Sequence, residues 1–320
     1  MSRWIGSAGI GALFAAAFGA SAIAAPAQLS IMAPAAPGGG WDQTARAMQQ
    51  VLQEAGIVSN VQVTNVPGAG GAIGIAQFVN NGKGDPTQLM VAGYVMVGAL
   101  ITNNSPVTLK DVTPIARLTG EYDAVVVPTS SPLQTMADLV EALKKDPGAV
   151  SWGGGSAGGA DHIGAGLIAK AAGVDPSKIN YVPFSGGGEA LAAILGGQVT
   201  AGISGYSEFA GQIEAGQLRV LAITAGEKVE GIDAPTLKDA GLDVELQNWR
   251  MVAAAPGISD EQKADLVATM ESMVESEQWK KILTDRGWIN TFLAGPEFSA
   301  YLDEEIEATT ATLKDIGLVQ

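Results

Sequence analysis

Four times in 320 residues the chain runs from a β-rich segment through a glycine-rich turn into a helix-forming stretch. That recurrence narrows the folds open to it more than any other feature. Leu29–Met32 leads through Pro37-Gly38-Gly39-Gly40-Trp41-Asp42 into a helix ending near Glu54, and Val61–Asn65 leads through Pro67-Gly68-Ala69-Gly70-Gly71 into one ending near Asn81. Val150–Trp152 leads through Gly153–Gly159 into a helix over Asp161–Ala172. Asn180–Val182 leads through Phe184-Ser185-Gly186-Gly187-Gly188 into a helix over Glu189–Leu195. Strands alternating with helices predict parallel sheets of the doubly wound α/β kind. Further strands are expected at Leu89–Ala92, Ala124–Val127, Val199–Ile203, Arg219–Ile223 and Met251–Ala254.

Two of the glycine turns precede residue 125 and two follow it, which predicts two similar α/β lobes, in keeping with the length. The rest of the chain reads as helical. Ser259-Asp260-Glu261-Gln262 is a capping box opening a helix to about Glu275, a second helix is expected over Gln278–Arg286, and Pro296 suits the start of a last one reaching about Ile316. These helices have no sheet of their own to cover and are expected to return to the first lobe. That divides the chain into lobe 1, residues 25–123 plus 248–320, and lobe 2, residues 124–247. The two crossovers fall near Glu121–Ala124 and Gln247–Arg250. Residues 1–24 read as a cleaved export leader, with Arg3, an apolar stretch Ile5–Ala20 and the small-x-small site Ala22-Ile23-Ala24. The longest later apolar run, Leu89–Ile101, has 13 residues and is too short to span a bilayer. A periplasmic protein is expected.

Composition removes several function classes. With 33 Asp+Glu against 18 Lys+Arg, a net charge of −15, the chain lacks the clustered cations that nucleic-acid binding needs. It has no cysteine and one histidine, His162, so thiol chemistry and a His-based zinc site are not expected, nor is any cofactor.

The 42 glycines suggest a different chemistry. Helix N-termini carry unpaired N–H groups and partial positive charge, and glycine lets the backbone approach a ligand closely. In open α/β sheets ligands bind beyond the carboxyl ends of the strands. Four such turns would line a cleft with backbone donors and small hydroxyls, Thr44, Ser156, Ser185 and Ser204, which suits carboxylates without any arginine. Net negative charge opposes only long-range steering, which is weak beyond about 8–10 Å at physiological salt. Trp41, Tyr94, Phe184, Tyr206 and Trp249 sit at strand ends or in loops, where aromatics wall a pocket. His162 is placed for ligand contact or a structural hydrogen bond. Asp42 suits the start of a helix but would repel an anion, so a latching role for it ranks above direct contact.

Enzyme readings fare less well. Gly68-Ala69-Gly70 with Gly74 resembles a dinucleotide fingerprint, yet the next strand ends Ala92-Gly93-Tyr94 without the ribose-binding acid. Gly154-Gly155-Ser156-Ala157-Gly158 matches a hydrolase elbow, but the one histidine lies six residues on, where it reaches Ser156 awkwardly at best. An exported serine hydrolase using Ser156 stays as the alternative of another class.

Three motifs carry a resemblance. Ala36-Pro37-Gly38-Gly39-Gly40-Trp41-Asp42-Gln43-Thr44-Ala45-Arg46, Asn65 to Gly74, and Tyr181 to Ala190 are similar to the tripartite tricarboxylate transporter substrate-binding proteins. Gly158–His162 and Ser204-Gly205-Tyr206 extend the similarity over most of the mature chain. The resemblance implies a type II periplasmic-binding-protein-like fold that closes on its ligand by a hinge. It implies a monomer delivering that ligand to the large and small subunits of a membrane permease. It also implies carboxylate binding by backbone amides at Gly39, Gly40, Trp41 and Asp42 and at Ala69, Gly70 and Gly71, with Ser156 and Ser185, Gly186 and Gly187 opposite. The Gly-Gly-Gly-Trp-Asp loop resembles the citrate-binding branch; amino acids and aromatic acids are the alternative ligands in the same cleft.

Overall fold

The computed structural model describes residues 28–320, and the leader expected over residues 1–24 lies outside the described residues. The first lobe opens with β1 (Gln28–Ala33), α1 (Gly40–Glu54), β2 (Asn60–Asn65), α2 (Ala72–Asn81), β3 (Gln88–Gly93) and α3 (Tyr94–Thr102). Strand β4 (Thr113–Pro128) leads into the second lobe: α4 (Met136–Lys145), β5 (Ser151–Gly154), α5 (Ala160–Ala171), β6 (Asn180–Pro183), α6 (Gly187–Leu195), β7 (Ala201–Gly205), α7 (Tyr206–Glu214) and β8 (Leu218–Ile223). Strand β9 (Gln247–Ala254) returns, followed by α8 (Asp260–Glu275), α9 (Glu277–Arg286), β10 (Ile289–Ala294) and α10 (Gly295–Asp315).

The expected α/β, two-lobed fold is present, with sheets that are mixed rather than wholly parallel. β2, β1 and β3 pair in parallel, as do β6, β5 and β7. The connecting strands run against them: β9 is antiparallel to β3 and β4, and β4 is antiparallel to β7 and β8. A strand passing from one lobe to the other has to run opposite to strands that all end at the cleft, and this sets the reversal. Within β4 the partner changes between Tyr122, opposite Gln247, and Asp123, opposite Gly205.

β4 extends far beyond the expected Ala124–Val127 because its first part interrupts the apolar pattern with Arg117, Glu121 and Asp123. Its last residues show the period of two. Val125 and Val127 pack with Trp152, Ile168 and Ile203 on one face, while Ala124 and Val126 pack with Ile194, Phe209 and Ile223 on the other. The first lobe buries Leu29, Ile31, Met48 and Val91 with Met270, Trp279 and Phe298 from the C-terminal helices. Ser259 caps α8 as expected, its Oγ accepting from Gln262 N at 3.1 Å while Gln262 Oε1 accepts from Ser259 N at 2.9 Å. Those helices pack on the core of β1 and β3, but with a strand of their own. β10 pairs antiparallel with β4, and no glycine turn of the recurrent kind marked it. The apolar run Leu89–Ile101 is a strand and a helix joined at Gly93, whose φ of 153° only glycine takes readily; a Cβ there would strike the Trp249 carbonyl.

Candidate functional site

The four glycine turns meet between the lobes around a cavity of ≈ 360 Å³. The lobes approach closely at its rims. A Cβ on Gly186 would lie 3.6 Å from Gly39 Cα, and one on Gly70 would lie 3.2 Å from Ser156 Cβ.

The first-lobe turns are donor-rich. Gly38 takes a left-handed φ of 85°, and its N–H donates to Asp42 Oδ2 at 2.8 Å. The same carboxylate pairs with Arg46 Nε at 2.9 Å and accepts from Asn65 Nδ2 at 2.9 Å, tying the first turn to the end of β2. Burial opposes ionisation of Asp42, but the bonds from Arg46, Gly38 and Asn65 prevail and hold its pKa below the usual carboxylate value. No side chain caps α1 at Gly39 or the single 3₁₀ turn over Ala69–Gly71 at Gly68. Their first N–H groups therefore have no capping side chain, and Gly39, Gly40, Trp41, Ala69 and Gly70 line the cavity.

The second-lobe turns differ, because acids already take up their donors. Asp161 Oδ2 accepts from Gly155 N at 2.6 Å, Glu189 Oε2 from Ser185 N at 3.0 Å, and Glu208 Oε1 from Gly187 N at 3.2 Å. Glu208 Oε2 also accepts from Ser204 Oγ at 2.8 Å. Burial pushes the Asp161 carboxyl up to about 6 against the bonds from Gly155 and Ser204. Burial, reinforced by Glu121 and Asp161, pushes Glu208 up to about 7. The cleft is thus polar across its width, with donors on the first lobe and acceptors on the second.

Arg250 closes the floor. It is 2% exposed, its Nη2 pairs with Glu121 Oε1, and its Nη1 has no hydrogen-bond partner among the described residues. Glu121 is itself held by Ser207 Oγ at 2.7 Å. Gly40 lies against the guanidinium so closely that a Cβ there would sit 2.9 Å from Arg250 Cζ. Beneath them Asp123 is fully buried, with neither carboxylate oxygen partnered among the described residues. Burial first, then the nearby Asp161, Glu121 and Glu208, drive its pKa well above the ordinary value.

Of the residues singled out from sequence, Gly39, Gly40, Trp41, Ala69, Gly70, Ser156, Ser185, Gly186, Gly187 and Ser204 line the cavity. Phe184 walls it as expected of an aromatic. The others do not. Asp42 is the latch described above. Gly71 packs under Met96 and Trp41, and the Thr44 hydroxyl donates back to Gly40 O at 2.9 Å. His162 stacks on Tyr181 with ring centroids 4.1 Å apart, and its Nδ1 accepts from Gly158 N at 3.2 Å. Burial lowers its pKa to about 4, so it is neutral near pH 7 and its ring is committed away from Ser156. Tyr94 and Trp249 lie behind β9 against Tyr301, where Trp249 Nε1 donates to Glu305 Oε2 at 2.7 Å. Tyr206 lines a separate hollow beside Arg286. Tyr94, Trp249 and Tyr206 sit at or near strand ends as expected, but their side chains do not line the cavity.

Sequence reasoning missed Arg250, Asn248, Asp161 and Glu208, all of which line the cavity, and the expectation of a cleft without arginine is corrected. A signal was available. Charge inside an otherwise apolar strand, as in Asn248-Trp249-Arg250-Met251-Val252, has to be paired or to face a polar site. Among the described residues, no group of three or more His, Asp or Glu side chains is arranged to hold a metal ion, and no helix is long and apolar enough to cross a membrane.

Comparison with known proteins bears on the family and the fold. A family model described as the tripartite tricarboxylate transporter family receptor matches residues 43–318. A UPF0065 protein from Agrobacterium vitis, in the TAR-I ttuE-ttuC' intergenic region, is 30% identical over 232 residues, 71% of this chain and 65% of its own length; the match thus spans just under two thirds of that relative. A solved structure described as a periplasmic transporter superposes with a TM-score of 0.82 at 26% identity, covering 91% of this chain and 97% of the other. MatC from Rhodopseudomonas palustris, solved with bound malate, shares the fold with a TM-score of 0.79 at 22% identity, covering 89% and 98%.

Proposed function

The chain belongs to the tripartite tricarboxylate transporter receptor family, and from that premise we propose that it is a periplasmic, non-catalytic receptor for a citrate-like tri- or dicarboxylate. The observation that carries this reading is Arg250, which lines a cavity flanked by uncapped helix N-termini and whose buried Nη1 has no hydrogen-bond partner among the described residues. A carboxylate of the ligand completes that guanidinium, and backbone N–H groups of Gly40, Trp41, Ala69 and Gly70 take the rest. Charge-assisted hydrogen bonds contribute about 1.5–3 kcal/mol each. Several together offset an association cost of about 4–15 kcal/mol. The malate held by MatC supports the carboxylate class.

Binding works by closure. Lobe 1, residues 25–123 plus 248–320, and lobe 2, residues 124–247, bend at β4 and the start of β9, and the ligand bridges both. The leader is removed near Ala24, and the closed monomer passes its ligand to the large and small subunits of the permease. The acids Asp161 and Glu208 favour a second reading, in which their wall takes the ammonium of an acidic amino acid.

A thermal-shift panel of citrate, tricarballylate, malate, aspartate and benzoate tests the reading. A ligand at a hundred times its Kd stabilises by about 2.7 kcal/mol, so citrate raises Tm by several degrees and benzoate does not. A shift with aspartate alone selects the second reading. No shift with any acid, together with cleavage of esters at Ser156, overturns both.

A further inference from the structure

Where the second-lobe wall meets the connecting strands, four carboxylates crowd around one guanidinium. Glu208 on α7 faces Glu121 and Asp123 of β4, Asp161 of α5 and Arg250 of β9. Ser204 of β7 stands between Glu208 and Asp161, bonded to the first and within reach of the second, yet its hydroxyl has one proton to give. Tyr181 of β6 gives its own proton to Gly155 O at 2.8 Å, and Glu189 at the start of α6 is engaged with Ser185. His162 is stacked on Tyr181 and neutral near pH 7. The cation of this group, Arg250, is held by Glu121 on one nitrogen and open on the other.

A fully ionised polycarboxylate matches Arg250 and the first-lobe donors but sets a further negative charge against Glu208. We propose that Glu208 is a specificity-determining residue that selects ligands presenting an O–H donor to the second-lobe wall, either a hydroxyl or a protonated carboxyl. The inference rests on the carboxylate-receptor reading. It follows from the division of the cleft: the donors of the first lobe need acceptors, and ionised Glu208, whose two oxygens each accept one bond from Gly187 N and Ser204 Oγ, keeps a further lone pair on each that only a donor can meet. The raised pKa of Glu208, about 7, adds that the shared proton is available near neutrality.

Citrate and tricarballylate share three carboxyls and differ by one hydroxyl, so calorimetric titration of both at pH 6 and pH 8.5 separates the sources. Buffers of different ionisation enthalpy report any proton taken up. If the hydroxyl is the donor, citrate binds at least about tenfold tighter than tricarballylate without proton uptake. Glu208→Gln, which keeps a carbonyl acceptor, then retains the preference, and Glu208→Met removes it. If a carboxyl is the donor, the two acids bind alike and each takes up about one proton at pH 8.5. Affinity then falls as pH rises, and Glu208→Gln abolishes both effects. Circular dichroism confirms that both variants fold. Equal binding without proton uptake, or a preference that survives Glu208→Met, overturns the inference while leaving the receptor reading intact. Absence of binding by either acid to folded protein at both pH values overturns the receptor reading and the inference with it.

Discussion

Arg250 and Glu121 form an ion pair buried on both sides, where the two connecting strands β4 and β9 run side by side between the lobes. Glu121 stands opposite Asn248 in the register, and Arg250 opposite Thr119. The pair therefore joins the floor of the cleft to the elements that connect the lobes. Removing one partner strands the other charge in the interior. Arg250→Met is expected to destabilise by about 3–5 kcal/mol and to abolish carboxylate binding. Adding Glu121→Leu restores most of the stability, since an apolar pair replaces a buried ion pair at little cost, but not the binding. Urea denaturation and calorimetry on the single and double variants check this split; recovered binding in the double variant would count against Arg250 as a ligand contact.

Gly40 is constrained by the same guanidinium. A methyl group there would lie 2.9 Å from Arg250 Cζ and 3.2 Å from its Nε, so the side chain has to leave its seat. Gly40→Ala is expected to weaken binding at least about tenfold and to cost about 1–3 kcal/mol of stability. Gly188→Ala, in α6 with nothing within 4 Å of the added methyl, is the control. It is expected to keep full affinity and to gain about 0.5–1 kcal/mol. Equal effects of the two would remove the argument from close backbone approach.

The buried acids predict a pH profile for the unliganded protein. The pKa values of Glu208 and Asp123 are raised on folding, so the folded chain holds protons that the unfolded chain releases, and stability falls as pH rises toward the folded values. His162, lowered to about 4, acts in the opposite sense but only below its unfolded value near 6.5. Between pH 6.5 and 8.5 the acids act without that opposition, and Tm is expected to drop by a few degrees. Glu208→Gln flattens the drop. A Tm that rises over this interval would contradict the assignment of retained protons.

Trp249 separates connection from contact. Its indole donates to the half-buried Glu305, behind the cavity, so Trp249→Phe is expected to cost about 0.5–1.5 kcal/mol through the lost hydrogen bond. Ligand affinity should stay within about threefold, under 1 kcal/mol. Thermal denaturation and calorimetry measure the two effects separately, and a large loss of affinity at full stability would return Trp249 to the cleft.

Much of this arrangement is legible in the sequence because glycine turns and apolar strands are local signals. The turns at Gly38–Asp42, Gly68–Gly71, Gly153–Gly159 and Ser185–Gly188 mark the strand ends that meet at the cavity. What escapes local reading is which way a strand-end side chain faces. Tyr94, Tyr206 and Trp249 have the composition of pocket walls but pack behind the connecting strands or beside α9. Arg250, Asp161 and Glu208 are the reverse case. Each looks like an ordinary polar residue in its own segment, and only the tertiary meeting of β4, β7, β9, α5 and α7 makes them one group. β10 escaped for a related reason, since Ile289–Ala294 finds its partner in β4, about 170 residues away, as the Thr119 hydroxyl bonded to Ile289 O records.

The most direct test is a calorimetric titration of citrate into the wild-type protein and Arg250→Lys, which keeps the charge but not the planar fork. One-to-one saturable binding in the micromolar range or tighter, weakened at least about tenfold in Arg250→Lys, is the predicted result. Saturable citrate binding of the same strength in both proteins, or none by folded wild type, would contradict a carboxylate receptor built around Arg250.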